Sequence, residues 1–231
     1  PPGSGTTYGS ACTIATYACI PVNSPTIFSA LPHLLTSKDS PLSFNLAHGL
    51  KNPRWMLSFL DNCRPSRVKH ITQALGGFLR HADSGLDPLI AEADAQDLIV
   101  SNDCLYVWSS RTGFENAATS NAMRAEQGVE LDELGPDDIR SLEPNLQQAM
   151  HRGLRFKGAR HITNPQELVH RMQLRFEALG GTYLPQKIDR TKADDTGVTA
   201  YLGDGTQIRG KHLAITAGAH SGLIKGSGAE H

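Results

Sequence analysis

The alternation of apolar and polar positions divides the chain into stretches of different character. Residues 1–12 are rich in Gly, Ser and Thr. Pro21, Pro25, Pro32 and Pro41 punctuate the next stretch, which predicts a surface-wrapping segment with at most short helical turns. Pro53-Arg54-Trp55-Met56-Leu57-Ser58-Phe59-Leu60 predicts a helix, with proline at the favourable first position and Trp55/Phe59 and Met56/Leu60 spaced i, i+4. A longer helix is predicted over 66–92 from Val68, Ile71, Leu75, Phe78 and Leu79, with a weak point at Gly76-Gly77 and a break at Asp87-Pro88. Leu98-Ile99-Val100 and Cys104-Leu105-Tyr106-Val107-Trp108 then read as two strands of a hairpin turning at Ser101-Asn102-Asp103.

The second half is more regular. A helix over 112–128 ends at Gly128, a short strand covers Val129-Glu130-Leu131, and Gly135 to Pro144 holds a short helix with an acidic first turn. Residues 150–163 read as extended. Asn164-Pro165-Gln166-Glu167 supplies an N-cap, a proline at the first helical position and an acid at the third, and Gly180-Gly181 closes the helix that follows. Strands are predicted over Thr182 to Ile188, Val198 to Leu202 and Thr206 to Ile208, the last two joined by a tight Asp204-Gly205 turn. His212-Leu213-Ala214-Ile215-Thr216 reads as a buried strand running into a small-residue turn at Ala217-Gly218-Ala219.

Composition narrows the class. A length of 231 residues, at about 150 per domain, gives one and a half domains. With 39% hydrophobic and 19% charged residues the chain is an ordinary globular one. Its 22 Lys+Arg against 23 Asp+Glu give a net charge of −1, no electrostatic case for nucleic acid, and no basic patch interleaved with aromatics stands out. No apolar run reaches the roughly 20 residues that a bilayer span needs, and the opening residues do not form a signal peptide. Cys12, Cys19, Cys63 and Cys104 form no C-x-x-C pair and read as reduced, mostly buried thiols.

Candidate chemistry is sparse. Gly3-x-Gly5-x-x-x-Gly9 is one residue too long for the dinucleotide fingerprint and follows no strand, so it reads either as a flexible terminus or as a ligand-contacting loop. Its hydroxyls at Ser4, Thr6, Thr7 and Ser10, beside bare backbone N–H groups, suit an anionic phosphate. Thr216-Ala217-Gly218 permits close approach of a flat ligand or simply tight packing. The ten histidines are scattered without metal-ligand spacing, and His161, before the capped helix, is the one placed where chemistry could use it. No G-x-S-x-G elbow anchors Ser-His-Asp catalysis.

Taken in order, these segments resemble a known family. Pro2-Gly3-Ser4-Gly5-Thr6-Thr7-Tyr8-Gly9-Ser10-Ala11 resembles the G-x-(T/A)-S-(F/Y)-x-N-A-G segment of the FAD-dependent D-amino-acid oxidase/dehydrogenase superfamily, most of all the small subunit of D-amino-acid dehydrogenase. Trp55 to Leu60, Leu131 to Pro144, Arg160 to Pro165, and Gly180-Gly181 with Lys187-Ile188 and Leu213 to Ser221 resemble later segments in family order. Departures are Ser10-Ala11-Cys12 for Asn-Ala-Gly and His220 for the tryptophan after Gly-Ala. The family's opening strand, G-x-G-x-x-G turn and second strand are absent, as is the C-terminal part that carries its carboxylate-binding arginine. The chain therefore reads as the middle of such an enzyme, its loop-like ends as cuts.

The resemblance implies an α+β architecture, with 1–20 and 160–231 as a partial FAD-binding domain and 21–159 as a helical and substrate-binding region. It implies that Gly5, Thr6, Thr7 and Ser10 meet the FAD pyrophosphate or ribityl, that Lys187 and Ile188 face the adenine, and that Thr216, Ala217 and Gly218 line the flavin. The implied reaction oxidises the C–N bond of an amino acid, a D-amino acid first, by hydride transfer from Cα to flavin N5, with oxygen or a quinone as acceptor. No catalytic acid or base is identified. The alternatives are a non-catalytic fragment or partner subunit, and a relative acting on sarcosine, glycine, an opine or hydroxyproline. The implied location is cytoplasmic, peripheral to the inner membrane if a quinone is reduced.

Overall fold

The computed structural model describes residues 2–23, 25, 51–146 and 148–228. The expectations at Pro32 and Pro41 lie outside the described residues. The chain divides into two compact units, Pro2–Arg175 and Phe176–His231. The architecture is α+β, built of helices and antiparallel sheets.

In the first unit, α1 (Pro53–Asn62) carries Pro53 in its first turn, as the pattern predicts. The long helix predicted next is two: α2 (Pro65–Leu79) and α3 (Ala82–Glu92), parted at Arg80-His81. Neither predicted break is used. Gly76 is buried within α2, where an added Cβ would lie 2.7 Å from Gln127 Oε1, so this glycine serves packing rather than bending. Pro88 sits inside α3. The carbonyl that its missing N–H would have met belongs to exposed Ser84, where water can serve it.

The predicted hairpin over 98–108 does not form. β2 (Ile99–Ser101) pairs antiparallel with β6 (Arg160–Ile162), and β3 (Cys104–Trp108) with β5 (Arg152–Phe156). The two arms change sheets together: Asp103 Oδ1 accepts a bond of 3.1 Å from the Gly158 N–H, linking one interruption to the other. One sheet has the order β1-β6-β2, with β1 at Thr13–Ile14, and the other β3-β5-β4, with β4 at Leu131–Leu134. Apolar side chains explain the split. Leu98 and Ile99 join Ile90, Ala93, Ala95 and Leu168 in one cluster, whereas Cys104 and Trp108 join Tyr17, Leu154, Phe156 and Ala159 in another.

The predicted helix over 112–128 is α4 (Arg111–Asn116) followed by α5 (Ala118–Glu126), with Gly128 at φ +82° beyond its end. In α6 (Pro136–Leu142) the Asp138 carboxylate accepts the Gly135 N–H at 3.0 Å, and Ile139 covers Gly153 on β5. α7 (Pro165–Ala178) starts as predicted, with Asn164 Oδ1 accepting from the Glu167 N–H at 3.0 Å.

In the second unit, Gly180 at φ +90° ends α7, and β7 (Ile188–Asp194), β8 (Gly197–Leu202) and β9 (Gln207–Gly210) form an antiparallel meander. The Asp204-Gly205 turn is as expected: Gly205 has φ +89° and Asp204 Oδ1 accepts from the Thr206 N–H at 2.9 Å. Two strand expectations are corrected. The first strand begins at Ile188 rather than Thr182, and residues 212–217 form no strand. Apolar alternation does not make a ladder without a neighbouring backbone. Among the described residues neither 182–187 nor 212–217 pairs with another strand.

Candidate functional site

The residues singled out for cofactor contact fall in both units. Gly5, Thr6, Thr7 and Ser10 belong to the first, in a loop of two successive turns: Tyr8 N–H donates to Gly5 O at 3.1 Å and Ser10 N–H to Thr7 O at 3.2 Å. Gly3, at φ +73°, anchors this loop on the first turn of α7, where a Cβ would stand 3.1 Å from Gln166 Cα and from Gln166 O. Beyond that anchor the loop is open, with nothing within 4 Å of a Cβ built on Gly5. The N–H groups of Thr6, Thr7 and Gly9 meet no acceptor among the described residues. Ser10 Oγ accepts from the Cys12 N–H at 3.3 Å, so its hydroxyl already holds the loop's exit, and Cys12 takes a left-handed φ of 44°.

Lys187, Ile188, Thr216, Ala217 and Gly218 belong to the second unit. Ile188 opens β7 opposite Leu202, and Lys187 O accepts from Gly203 N–H at 3.4 Å. Thr216 and Ala217 end the unpaired stretch, and Gly218, at φ +55°, starts a 3₁₀ turn over Gly218–Leu223. That turn brings the chain back to β7, where Lys225 N–H donates to Asp189 O at 3.2 Å and Thr191 N–H to Lys225 O at 2.7 Å. The strand opening at Ile188 and the segment following Gly218 are thus joined by backbone hydrogen bonds.

His161 is a sheet residue, half-buried in the central β6 between Thr13 and Val100. Among the described residues no cluster of His, Cys, Asp or Glu could hold a metal ion. The most unusual side-chain environment lies in the first unit and was not anticipated. Tyr17 stacks on Phe156 at 4.8 Å, and its hydroxyl donates to Cys104 Sγ at 3.0 Å. Burial and then Cys104 raise the Tyr17 phenol above its usual range. Arg124 lies over the Phe156 and Tyr106 rings at 5.2 and 5.8 Å, its Nε buried without an acceptor. Burial raises the Cys19 thiol, against the opposing Arg124 cation. Tyr17 and Cys104 are 87 residues apart, so no local signal could have paired them.

Residues 3–230 match the family described as FAD dependent oxidoreductase. The chain is 25% identical over 221 residues to a D-amino-acid oxidase of Bradyrhizobium diazoefficiens, covering 95% of this chain and 52% of that protein. It is 26% identical over 146 residues to D-amino acid dehydrogenase 2 of Ralstonia nicotianae, covering 63% and 34% respectively. The chain thus spans about half, or less, of the length of these relatives. Among solved structures, glycine oxidase from Geobacillus kaustophilus superposes with a TM-score of 0.57 at 14% identity, over 96% of this chain and 47% of that one, a likeness of fold. An open Gly/Thr loop with free backbone donors and a match along nearly the whole chain point the same way: the chain belongs to the FAD-dependent oxidoreductase family.

Proposed function

We propose that this chain supplies part of the cofactor-holding scaffold of an amino-acid oxidoreductase that breaks a C–N bond, with a D-amino acid as donor. The observation that carries this reading is the loop at Gly5, Thr6, Thr7 and Ser10. It is anchored by Gly3 and presents uncommitted N–H donors, as a pyrophosphate-binding loop requires. FAD, when bound, supplies the acceptor for the hydride leaving the substrate Cα; the protein's own share is binding, orientation and exclusion of water. Lys187 and Ile188 would offer backbone groups to the adenine edge, and Thr216, Ala217 and Gly218 a small-residue wall for the ring. On this reading 1–20 and 160–231 serve the cofactor and 21–159 the substrate. The D-amino-acid oxidase and dehydrogenase relatives support the choice of donor. Sarcosine, glycine, an opine or hydroxyproline are the alternative donors. The electron acceptor is oxygen in a cytoplasmic form, or a quinone in a form peripheral to the inner membrane.

The second reading is a non-catalytic piece or partner subunit that folds without turning over. Incubation with FAD, gel filtration and a visible spectrum separate the two. Retained flavin absorption that weakens in Thr6→Pro, which removes one free N–H, is the expected result. A colourless protein fraction sinks the first reading. Anaerobic bleaching by D-amino acids then tests the donor class, and bleaching only by another amine would reassign it.

A further inference from the structure

The near-neutral total charge conceals a local concentration that the sequence reading missed. Lys51, Arg54, Arg64, Arg67, Lys69 and Arg80 against Asp61 alone give residues 51–80 a net charge of +5, in a chain whose whole charge is −1. Arg64 and Arg67 share Asp61 at 3.2 and 3.5 Å. Among the described residues the other four cations pair with no carboxylate.

The same stretch carries a helix whose apolar face is incompletely covered among the described residues: Trp55 and Leu57 are exposed, and Met56, Phe59 and Leu60 are half-buried. At 3.6 residues per turn, Trp55, Met56, Leu57, Phe59 and Leu60 fall within one arc of α1, and Arg54, Ser58, Asp61 and Asn62 within the other. An arc this wide normally faces a core, yet none of the helix's residues is buried. Trp55 is 59% exposed and Leu57 68%, and on α2 Phe78 is 79% exposed, two residues before Arg80. No helix among the described residues is long and apolar enough to cross a membrane, and α1 has ten residues, about 15 Å of helix.

We propose that α1, with the basic residues around it, is an interfacial docking surface for a bilayer bearing anionic headgroups. A short helix with a wide apolar arc, itself charge-neutral but flanked in sequence by Lys51, Arg64, Arg67 and Lys69, has the two attractions an anionic membrane surface answers: burial of apolar side chains at the headgroup boundary and neutralisation of Lys and Arg. Nucleic acid answers only the second. The Trp55 and Phe59 rings stack on each other at 5.4 Å instead of standing free for bases, and Met56, Leu57 and Leu60 would have no role on a polynucleotide. Such docking rests on the membrane-peripheral form of the function proposed above, but it does not depend on flavin, so the two fail separately.

The test is co-sedimentation of the 231-residue chain with vesicles of phosphatidylcholine containing about one-third phosphatidylglycerol, against pure phosphatidylcholine, at low and high salt. Expected are saturable partition onto the anionic vesicles, at least about tenfold weaker partition onto neutral ones, and loss with salt. Lys51→Gln with Arg54→Gln should weaken partition about 25-fold, about fivefold for each cation. Trp55→Ser with Leu57→Ser should abolish both binding and the blue shift of tryptophan emission that vesicles induce in the parent. All these side chains are exposed, so an unchanged far-UV spectrum is expected of each variant. The proposal is overturned by no partition onto anionic vesicles, by double variants that bind like the parent, or by tighter binding to a DNA duplex than to vesicles. It is equally overturned if iodide fails to quench Trp55 before vesicles are added, because the face is then already covered. FAD retention without vesicle binding overturns the docking surface alone; vesicle binding without FAD retention overturns the flavin reading alone.

Discussion

The two units are held together by different physics. Pro2–Arg175 has two apolar clusters, one around Ile90, Ala95 and Leu168 and one around Tyr17, Leu154 and Phe156. Among the described residues of the Phe176–His231 unit, the buried side chains are Thr191, Ala200 and Leu202. What orders the second unit is backbone and polar wiring. A meander ladder is joined by the Thr191 hydroxyl donating to Gly226 O at 2.9 Å, and Arg209 makes bonds of 3.0 and 2.8 Å to Asp194. Apolar clusters are most sensitive to loss of volume. Ladders and close backbone approaches are most sensitive to what is added along the backbone.

Phe156 is fully buried, stacked on Tyr17 and lying beneath Arg124, so Phe156→Ala should cost about 3–5 kcal/mol in urea unfolding followed by near-UV dichroism. A loss below about 1 kcal/mol would show that the cluster does not hold the first unit. In the second unit the sensitive position has no side chain. Gly226 has φ +78°, and a Cβ there would run into the Thr191 carbonyl oxygen. Gly226→Ala should cost about 1–3 kcal/mol and raise amide exchange along β7, whereas unaltered exchange would separate β7 from that contact.

The smallest effect belongs to Asp194. Arg209 first, then Thr196, hold its carboxyl well below the usual carboxylate value of 3.8. A folded value below the unfolded one contributes stability above that pH, and the contribution is lost as pH falls through the folded value. Asp194→Asn should therefore change melting little near neutrality and flatten the acid limb below about pH 3.8. An acid limb identical to the parent's would remove this ion pair from the account.

Much of the local structure was legible because it depends on neighbours in sequence. The Asn164 cap, the Pro53 start, the Gly180 stop and the Asp204-Gly205 turn are each set by a few residues whose side chains or φ preferences act within one turn. The candidate loop was legible in composition alone. That Gly3 is its anchor and that Ser10 is committed to the Cys12 N–H were not, since both depend on contacts found only after folding. The missed features share one cause. Gly76 looked like a weak point until Gln127 occupied the space above it. The strands over 98–108 looked like a hairpin until each found a better partner, β6 and β5, more than forty residues away.

The capped helices, the Asp204-Gly205 hairpin, the family membership and the dense positive charge of 51–80 are written in residues close together or in their order. The tertiary structure decided which strands pair, which apolar arc stays uncovered and which N–H groups remain free. Those outcomes depend on which distant backbone arrives alongside. A hydrogen-bond donor has no preference among carbonyl groups until packing brings one within reach.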